Sequence, residues 1–121
     1  MADKWTALNS FWNSFGIPAY DENTVPSNAT YPRLTYSASV SNFDEPVVMS
    51  ASLWYNSTSW AAISQKAQEI SESIGNGGTV IHYTEGAMWV TRGTPFAQRM
   101  SDPEPNIRRI VINVEAEYFT E

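Results

Sequence analysis

Residue types that carry out catalysis are sparse in this sequence, and their spacing does not predict that they form one catalytic site. The single histidine, His82, lies in the segment VIHYTEG, where it alternates with Ile81 and Tyr83 as a strand residue would. There is no cysteine, and no serine lies in a Gly-x-Ser-x-Gly turn, so the sequence shows no nucleophile with its base and orienting acid. His82 is therefore interpreted as a surface residue of a strand. The enzymatic alternative is a small hydrolase that uses His82 and an acid such as Glu85.

Acidic residues occur in close pairs, which in a cleft could supply an acid and a base. A glycosidase needs two carboxyl groups that converge in a cleft. Neighbouring acids in a turn are usually exposed to solvent and have no catalytic role. Glu115 and Glu117 are different, because residues two apart on a strand share one face and so predict an acidic stripe. This stripe is either a hydrated sheet face or a functional surface that lines a pore or contacts a partner. The other pairs are Asp21 with Glu22, Asp44 with Glu45, and Asp102 with Glu104.

Metal and cofactor sites are not expected from the pattern. A zinc site needs clustered histidine, cysteine and carboxylate ligands, and calcium sites of the EF-hand type need a loop of regularly spaced acids. Neither pattern is present. The glycine-rich segment 75–78 lacks the Lys-Ser/Thr end of a phosphate loop and follows a predicted helix, so it is interpreted as a turn. We therefore expect no metal, no cofactor and no enzymatic activity.

Length and charge indicate one small acidic domain. The 121 residues, with a formal net charge of −6, are enough for one core, so we expect a single domain spanning 1–121. The 7 Lys and Arg residues are scattered, whereas a protein that grips nucleic acid needs a clustered cationic face. The start MADKWTALNS does not resemble a signal peptide, and no segment has the roughly 20 apolar residues that cross a bilayer. We therefore expect a cytoplasmic protein without membrane contact.

Two segments have the spacing of amphipathic helices. Apolar residues recur every three or four positions over Asp3–Ser14, where the first residue can cap the helix and Gly16 follows its end. The second helix is predicted from about Thr58 to Ile74, with one apolar stripe. Ser57 or the first helical residue is the predicted N-terminal cap, and Gly75 is the predicted left-handed residue at the C-terminus.

Alternating segments predict an antiparallel sheet. Short connections at 41–46 and at Glu85-Gly86 favour hairpins, while Ile17–Arg33 and Gly93–Asn106 contain several prolines or glycines and are predicted to be loops. The predicted fold class is α+β: a single antiparallel β-sheet packed with two α-helices on one face. The predicted strands are Leu34–Val40, Val47–Tyr55, Thr79–Thr84, Ala87–Arg92 and a final run that includes Ile110–Tyr118.

Large aromatic residues are predicted on strand faces that point away from the core. Trp54 and Trp89 alternate with the inward positions of their strands, and exposed aromatics of this kind often mark protein interfaces. The alternative is that the N-terminal helix covers them. In the predicted loop Gly93–Asn106, Phe96 and Met100 are candidate anchors for a partner. Arg99 and Asp102 of the same loop complete the predicted interface set.

Three segments, taken in order, cover most of the sequence: FWNSFGIPAYDENTVPSNATYPRLTYS, SLWYNSTSWAAISQKAQEI and RGTPFAQRMSDPEPNIRRIVINVEAEY. Together they resemble the small tail-terminator (tail-completion) proteins of long-tailed bacteriophages, which are also called minor capsid proteins. The strand motif at Tyr31–Tyr36 departs from the family's pattern.

The resemblance implies a structural virion protein at the head–tail junction, assembled in the host cytoplasm. It implies a ring of copies, commonly a hexamer, that ends polymerisation of the tail tube protein and joins the tail to the head connector (stopper). DNA would pass through the lumen without specific binding, and Glu115 and Glu117 are candidate lumen-facing acids. A head-side neck protein between portal and tail is the alternative in the same class. A small-ligand binding module, with the aromatic-rich sheet as its pocket, is another.

Overall fold

The computed structural model of the chain describes residues 3–37 and 47–120, apart from the side chain of residue 120. Its strands form one six-stranded sheet in the order β1-β2-β3-β6-β5-β4. The α+β class predicted from the sequence is therefore confirmed. The elements are α1 Lys4–Asn13, β1 Ala19–Asp21, β2 Arg33–Tyr36, β3 Val47–Asn56, α2 Ala61–Ile74, β4 Thr79–Tyr83, β5 Gly86–Met100 and β6 Ile107–Thr120.

The sheet is mixed, which corrects the prediction of a purely antiparallel one. β1 lies inside the segment Ile17–Arg33 that was predicted to be loop, and it pairs in parallel with β2, with Ala19 beside Leu34. The other strand pairs are antiparallel. Asn13 at the end of α1 fixes β1 from the side, because its side-chain amide both accepts from the Ala19 N–H at 3.0 Å and donates to the Ala19 carbonyl at 3.2 Å.

The segment Gly93–Asn106 is mostly strand, which corrects the prediction of a loop. β5 continues to Met100 along β6, and residues 101–106 form the connection between them. The pairing passes from Arg92–Val114 to Ala97–Ile112, so five residue steps on β5 face two on β6 in a large bulge. A Cβ on Gly93 would lie 2.8 Å from the carbonyl oxygen of Asn113, so glycine is required at this close approach.

Helix α1 closes the curled sheet. It contacts both β1 and β4, which are the two opposite edges, so the helix fills the gap between them. Trp12 is fully buried there, and its ring stacks on Tyr36 with a centroid distance of 6.3 Å. The predicted cap of this helix is confirmed, since Asp3 accepts a hydrogen bond from the Thr6 N–H at 2.8 Å.

Helix α2 packs on β3, β5 and β6 through the predicted apolar stripe, which is buried. It begins at Ala61 instead of Thr58, and the predicted cap at Ser57 is wrong because that hydroxyl accepts from the Ser59 N–H. Gly75 ends the helix with a positive φ of 75°, as predicted. The buried residues of the stripe are Ile63, Ala67, Ile70 and Ile74.

Arg92 holds the C-terminal end of α2 against β5. Its guanidinium donates to the Gly75 carbonyl at 3.2 Å, to the Ser71 hydroxyl at 2.9 Å and to the Asn76 side-chain oxygen at 2.6 Å. A cation at this position also interacts favourably with the negative end of the helix dipole. The sequence offered no signal for this contact, because the partners lie 16 to 21 residues apart.

Two predicted hairpins are present with adjusted ends. β2 and β3 are antiparallel neighbours, although residues 38–46, which include the end of the predicted first strand and its turn, lie outside the described part. The hairpin of β4 and β5 turns at Thr84 and Glu85, one residue earlier than predicted.

Tyr118 makes the stability of the fold sensitive to alkaline pH. Burial raises the pKa of Tyr118 to about 12, with a smaller contribution from the nearby Tyr83 hydroxyl. In the unfolded chain the pKa of a tyrosine is about 10, so above that pH the unfolded state loses its proton first. The folded state is then disfavoured, and we expect the urea midpoint to fall between about pH 10 and pH 12. In Tyr118→Phe this decrease should be smaller; an equal decrease in both proteins would contradict the assignment.

Candidate assembly surface

One face of the sheet carries no helix in the described part of the chain. Helices α1 and α2 cover the face that contains the buried strand residues, and alternate residues project from the opposite side, called here the outer face. From the register, the outer face carries Val80, Trp89, Glu117, Phe119, Thr91, Glu115, Val48, Asn113, Ser50, Gln98, Val111, Ser52, Met100, Arg109 and Trp54.

Large apolar side chains are concentrated in one half of the outer face. Val48, Val80, Trp89 and Phe119 are 64%, 52%, 40% and 47% exposed. Val80 lies beside Trp89 on the neighbouring strand, so the two form one contiguous surface. The Trp89 indole N–H donates to the Gly77 carbonyl at 2.8 Å, which fixes the ring against the sheet. Exposed apolar side chains grouped in this way are typical of a protein contact.

Two carboxylates lie within this apolar surface. Glu117 pairs across the strands with Trp89, and Glu115 pairs with Thr91 on one side and Val48 on the other. A groove of about 260 Å³ is lined by the two glutamates, Trp89, Thr91 and Ala116. Neither carboxylate makes a hydrogen bond or an ion pair with the residues that the structure describes. The Trp89 patch is defined here as Val48, Val80, Trp89, Glu115, Glu117 and Phe119.

In the other half of the outer face, an arginine side chain lies over a tryptophan ring. Trp54, Arg109 and Met100 occupy adjacent positions on β3, β6 and β5. The guanidinium of Arg109 lies 4.7 Å from the Trp54 ring centroid and also donates to the Ser52 hydroxyl at 3.0 Å. Trp54 donates from its indole N–H to the Thr35 hydroxyl at 2.9 Å and is half-buried, so it is less available than Trp89.

Arg99 lies on the other side of the same strand end, against Trp60. The guanidinium groups of Arg99 and Arg108 lie 4.8 and 5.3 Å from the Trp60 ring centroid. Arg108 also donates to the carbonyl groups of Thr58 and Pro105 at 2.8 and 3.0 Å. Arg99 is exposed, and its guanidinium forms no hydrogen bond or ion pair within residues 3–37 and 47–120.

Phe96 is not the exposed anchor that the sequence predicted. It is half-buried and packs against the core at the side of α2, where a groove of about 240 Å³ runs between the helix and β5. Met100 is 40% exposed, in agreement with the prediction. Asp102 is half-buried in the 101–106 connection, and its carboxylate accepts from the Glu104 N–H at 2.9 Å, so it shapes the turn.

The structure therefore separates the predicted interface residues into four places. Trp89, Glu115 and Glu117 come together in the Trp89 patch, while Trp54 and Met100 lie at the opposite end of the outer face. Phe96 and Arg99 lie on the helix side of β5, and Asp102 lies in the turn. Sequence reasoning missed Val48, Val80 and Phe119, although each alternates with an inward residue of its strand. It also missed Trp60, which is half-buried and lies beside the guanidinium groups of two arginines.

The residues considered for catalysis lie at the β4–β5 hairpin. His82 is exposed on β4 opposite Ala87, and Glu85 lies in the following turn. Within the described ranges no group of three or more His, Cys, Asp or Glu side chains is placed to hold a metal ion. None of the helices in those ranges is both long enough and apolar enough to span a bilayer.

Comparison with known proteins identifies a shared fold. The chain matches no protein-family model and no curated protein. A chain of the solved structure described as "Virion of native gene transfer agent (GTA) particle" superposes on it with a TM-score of 0.62 at 16% sequence identity. The match covers 94% of this chain and 90% of that chain, so the likeness extends over the whole domain and not over one motif.

Proposed function

We propose that the chain is a structural protein of a long-tailed phage or phage-like particle, and that it acts as a tail terminator. It assembles into a ring, with six copies as the proposed number, at the head-proximal end of the tail tube. The ring ends polymerisation of the tube protein and joins the tail to the head connector. The protein acts by binding alone, without catalysis.

The Trp89 patch is the observation that carries this proposal. Its four apolar side chains are between 40% and 64% exposed on a sheet face that no helix of the described part covers. Burial of apolar area contributes about 25 cal/mol per Å², so an assembly contact would gain free energy where a lone molecule does not. The fold shared with a chain of a gene transfer agent virion supports a virion as the place of that assembly.

A ring requires two different contact surfaces on each copy, because each copy meets two neighbours through a repeated head-to-tail contact. The molecule offers two such surfaces at opposite ends of the β5–β6 hairpin: the Trp89 patch at one end, and the arginines near Met100 at the other. The net charge of −6 suits a ring whose opening lets DNA pass without binding it.

Removal of the gene from the particle that encodes it tests the proposed position. We expect electron micrographs to show tails of uncontrolled length that are not joined to heads, because nothing ends the tube. A plasmid copy of the gene should restore a uniform tail length. Filled heads without tails would instead favour a neck protein between portal and tail, and complete infectious particles without the gene would exclude a structural role.

A further inference from the structure

We propose that Arg99 of one copy docks on the Trp89 patch of a second copy, where its guanidinium pairs with Glu115 and Glu117. This inference rests on the proposed ring and specifies the contact that closes it.

Arg99 is suited to donate across such a contact. Arg99 is exposed, and its guanidinium lies over the Trp60 ring, with a distance of 4.8 Å to the ring centroid. The stacking restricts the side chain, so less conformational entropy is lost when it binds. The five N–H groups of a guanidinium can donate to two carboxylates, and those of Arg99 have no acceptor among the described residues.

The Trp89 patch is suited to accept an arginine. Glu115 and Glu117 occupy the same face of β6, two residues apart, which places their Cα atoms about 7 Å from each other. Like charges at this distance repel, and a cation placed between them removes the repulsion. Trp89 lines the same groove, so a guanidinium that enters it meets an aromatic side chain as well as two carboxylates.

The positions of donor and acceptor determine the symmetry of the contact. Arg99 lies on the helix side of the sheet beside Ile110, whereas Glu117 lies on the outer face beside Trp89. Ile110 and Glu117 are seven residues apart on β6, so the two sites are separated by about 23 Å at 3.3 Å per residue. Surfaces on opposite faces cannot both meet the same neighbour, so the contact is head-to-tail and not a reciprocal two-fold pair. A repeated head-to-tail contact closes into a ring when its rotation returns to the first copy, as the proposed function requires.

The surroundings of the two glutamates favour a protein contact over a water-filled lumen. A lumen wall stays hydrated, and hydration of Trp89, Val48 and Val80 is unfavourable. These side chains are 40%, 64% and 52% exposed, and the free-energy cost of that exposure is removed only if another protein surface covers them. A neighbouring copy that docks through Arg99 supplies such a surface.

Charge reversal tests the contact in the intact chain. We expect Arg99→Glu and Glu117→Arg each to reduce the assembled fraction about tenfold or more at a fixed protein concentration, because like charges then face each other. The double variant should recover most of the loss. The fraction is measured by sedimentation and by quantitative recovery in purified particles. Glu22→Arg, a reversal at an exposed position remote from both sites, is the control and should assemble normally.

Cross-linking gives a second measurement that does not depend on charge. The chain contains no cysteine, so cysteines introduced as Ala97→Cys and Thr91→Cys are the only thiols. Ala97 lies on the same face of β5 as Arg99, and Thr91 pairs with Glu115, so both changes leave the charged partners in place. With a short bis-maleimide linker, a chain carrying both changes should give a ladder of covalent oligomers. A mixture of the two single variants should stop at dimers, and each single variant alone should stay monomeric.

The outcomes separate this contact from the proposed function. If assembly survives both reversals, or if the single cysteine variants link to themselves, the Arg99 contact is wrong, while the tail phenotype of the gene deletion still stands. If no ladder forms in purified protein or in particles, the contact is also wrong. If particles are complete without the gene, the proposed function itself fails.

Discussion

Replacing Trp12 with alanine should lower the free energy of unfolding by about 3–5 kcal/mol, the usual cost of removing a large buried aromatic side chain. Trp12 is 0% exposed and packs against Tyr36 of β2, Phe11 of α1 and Phe15 just beyond the helix. It lies where α1 bridges the two edges of the sheet, so no other element can move in to fill the cavity. A domain of this size has a total stability of about 5–15 kcal/mol, so the variant should be close to unfolding at 37 °C.

Two matched variants separate cavity formation from other effects. Trp12→Phe should cost much less, because it keeps an aromatic ring and also removes an indole N–H that is buried without a hydrogen-bond partner in the described structure. Trp5→Ala changes the same residue type in the same helix at a side chain that is 48% exposed, and should change stability by less than about 0.5 kcal/mol. Urea denaturation followed by tryptophan fluorescence and circular dichroism measures all three. Equal losses for Trp5→Ala and Trp12→Ala would contradict the fold.

Ile70→Ala should lower the free energy of unfolding by about 2–5 kcal/mol, because its side chain is 0% exposed between α2 and the sheet. The variant removes contacts from the centre of the helix stripe without changing the outer face. We therefore expect a lower melting temperature but, at low temperature, normal contacts between copies.

Gln65→Ala is the control for this variant, since residue 65 is exposed on the same helix and alanine favours helix. It should leave the melting temperature nearly unchanged or raise it slightly. If Ile70→Ala unfolded at the same temperature as the unmodified chain, α2 would not be packed as the structure shows.

The helices could be predicted from the sequence because their signals are local. Asp3 caps α1 through a hydrogen bond to a residue three positions away, and the stripe of α2 repeats within four positions. The start of α2 was placed three residues early, since Ser57 and Thr58 have the residue types of a cap but not its geometry. Caps are distinguished by backbone angles that a sequence does not display.

The extent of the sheet could not be predicted, because it depends on distant partners. Gly93 and Pro95 predict the end of a strand. In the structure, however, β5 pairs with β6 again from Ala97 onwards. β1 has only three residues and is a strand because β2 and Asn13 supply its hydrogen bonds. Propensity is a weak guide where tertiary contacts decide the conformation.

The sequence predicted which residue types form the candidate site, but only part of how those residues are arranged. Alternation placed Trp89, Glu115 and Glu117 on outward positions, and the structure brings them to one groove. Alternation could not show that the Phe96 side chain packs towards α2. Phe96 lies within the bulge between Arg92 and Ala97, where side chains no longer alternate regularly between the two faces. Nor could alternation reveal the stacking of Arg99 on Trp60, which joins residues of different elements.

The bulge between Arg92 and Ala97 also makes the hairpin tolerant of changes in length. In an uninterrupted strand, one inserted residue would rotate every later side chain to the opposite surface. Here the pairing of β5 with β6 resumes at Ala97 and Ile112, after a bulge in which β5 already has more residues than β6. An insertion or deletion next to Thr94 would be accommodated within the bulge, so the residues from Ala97 onwards would keep the orientation of their side chains.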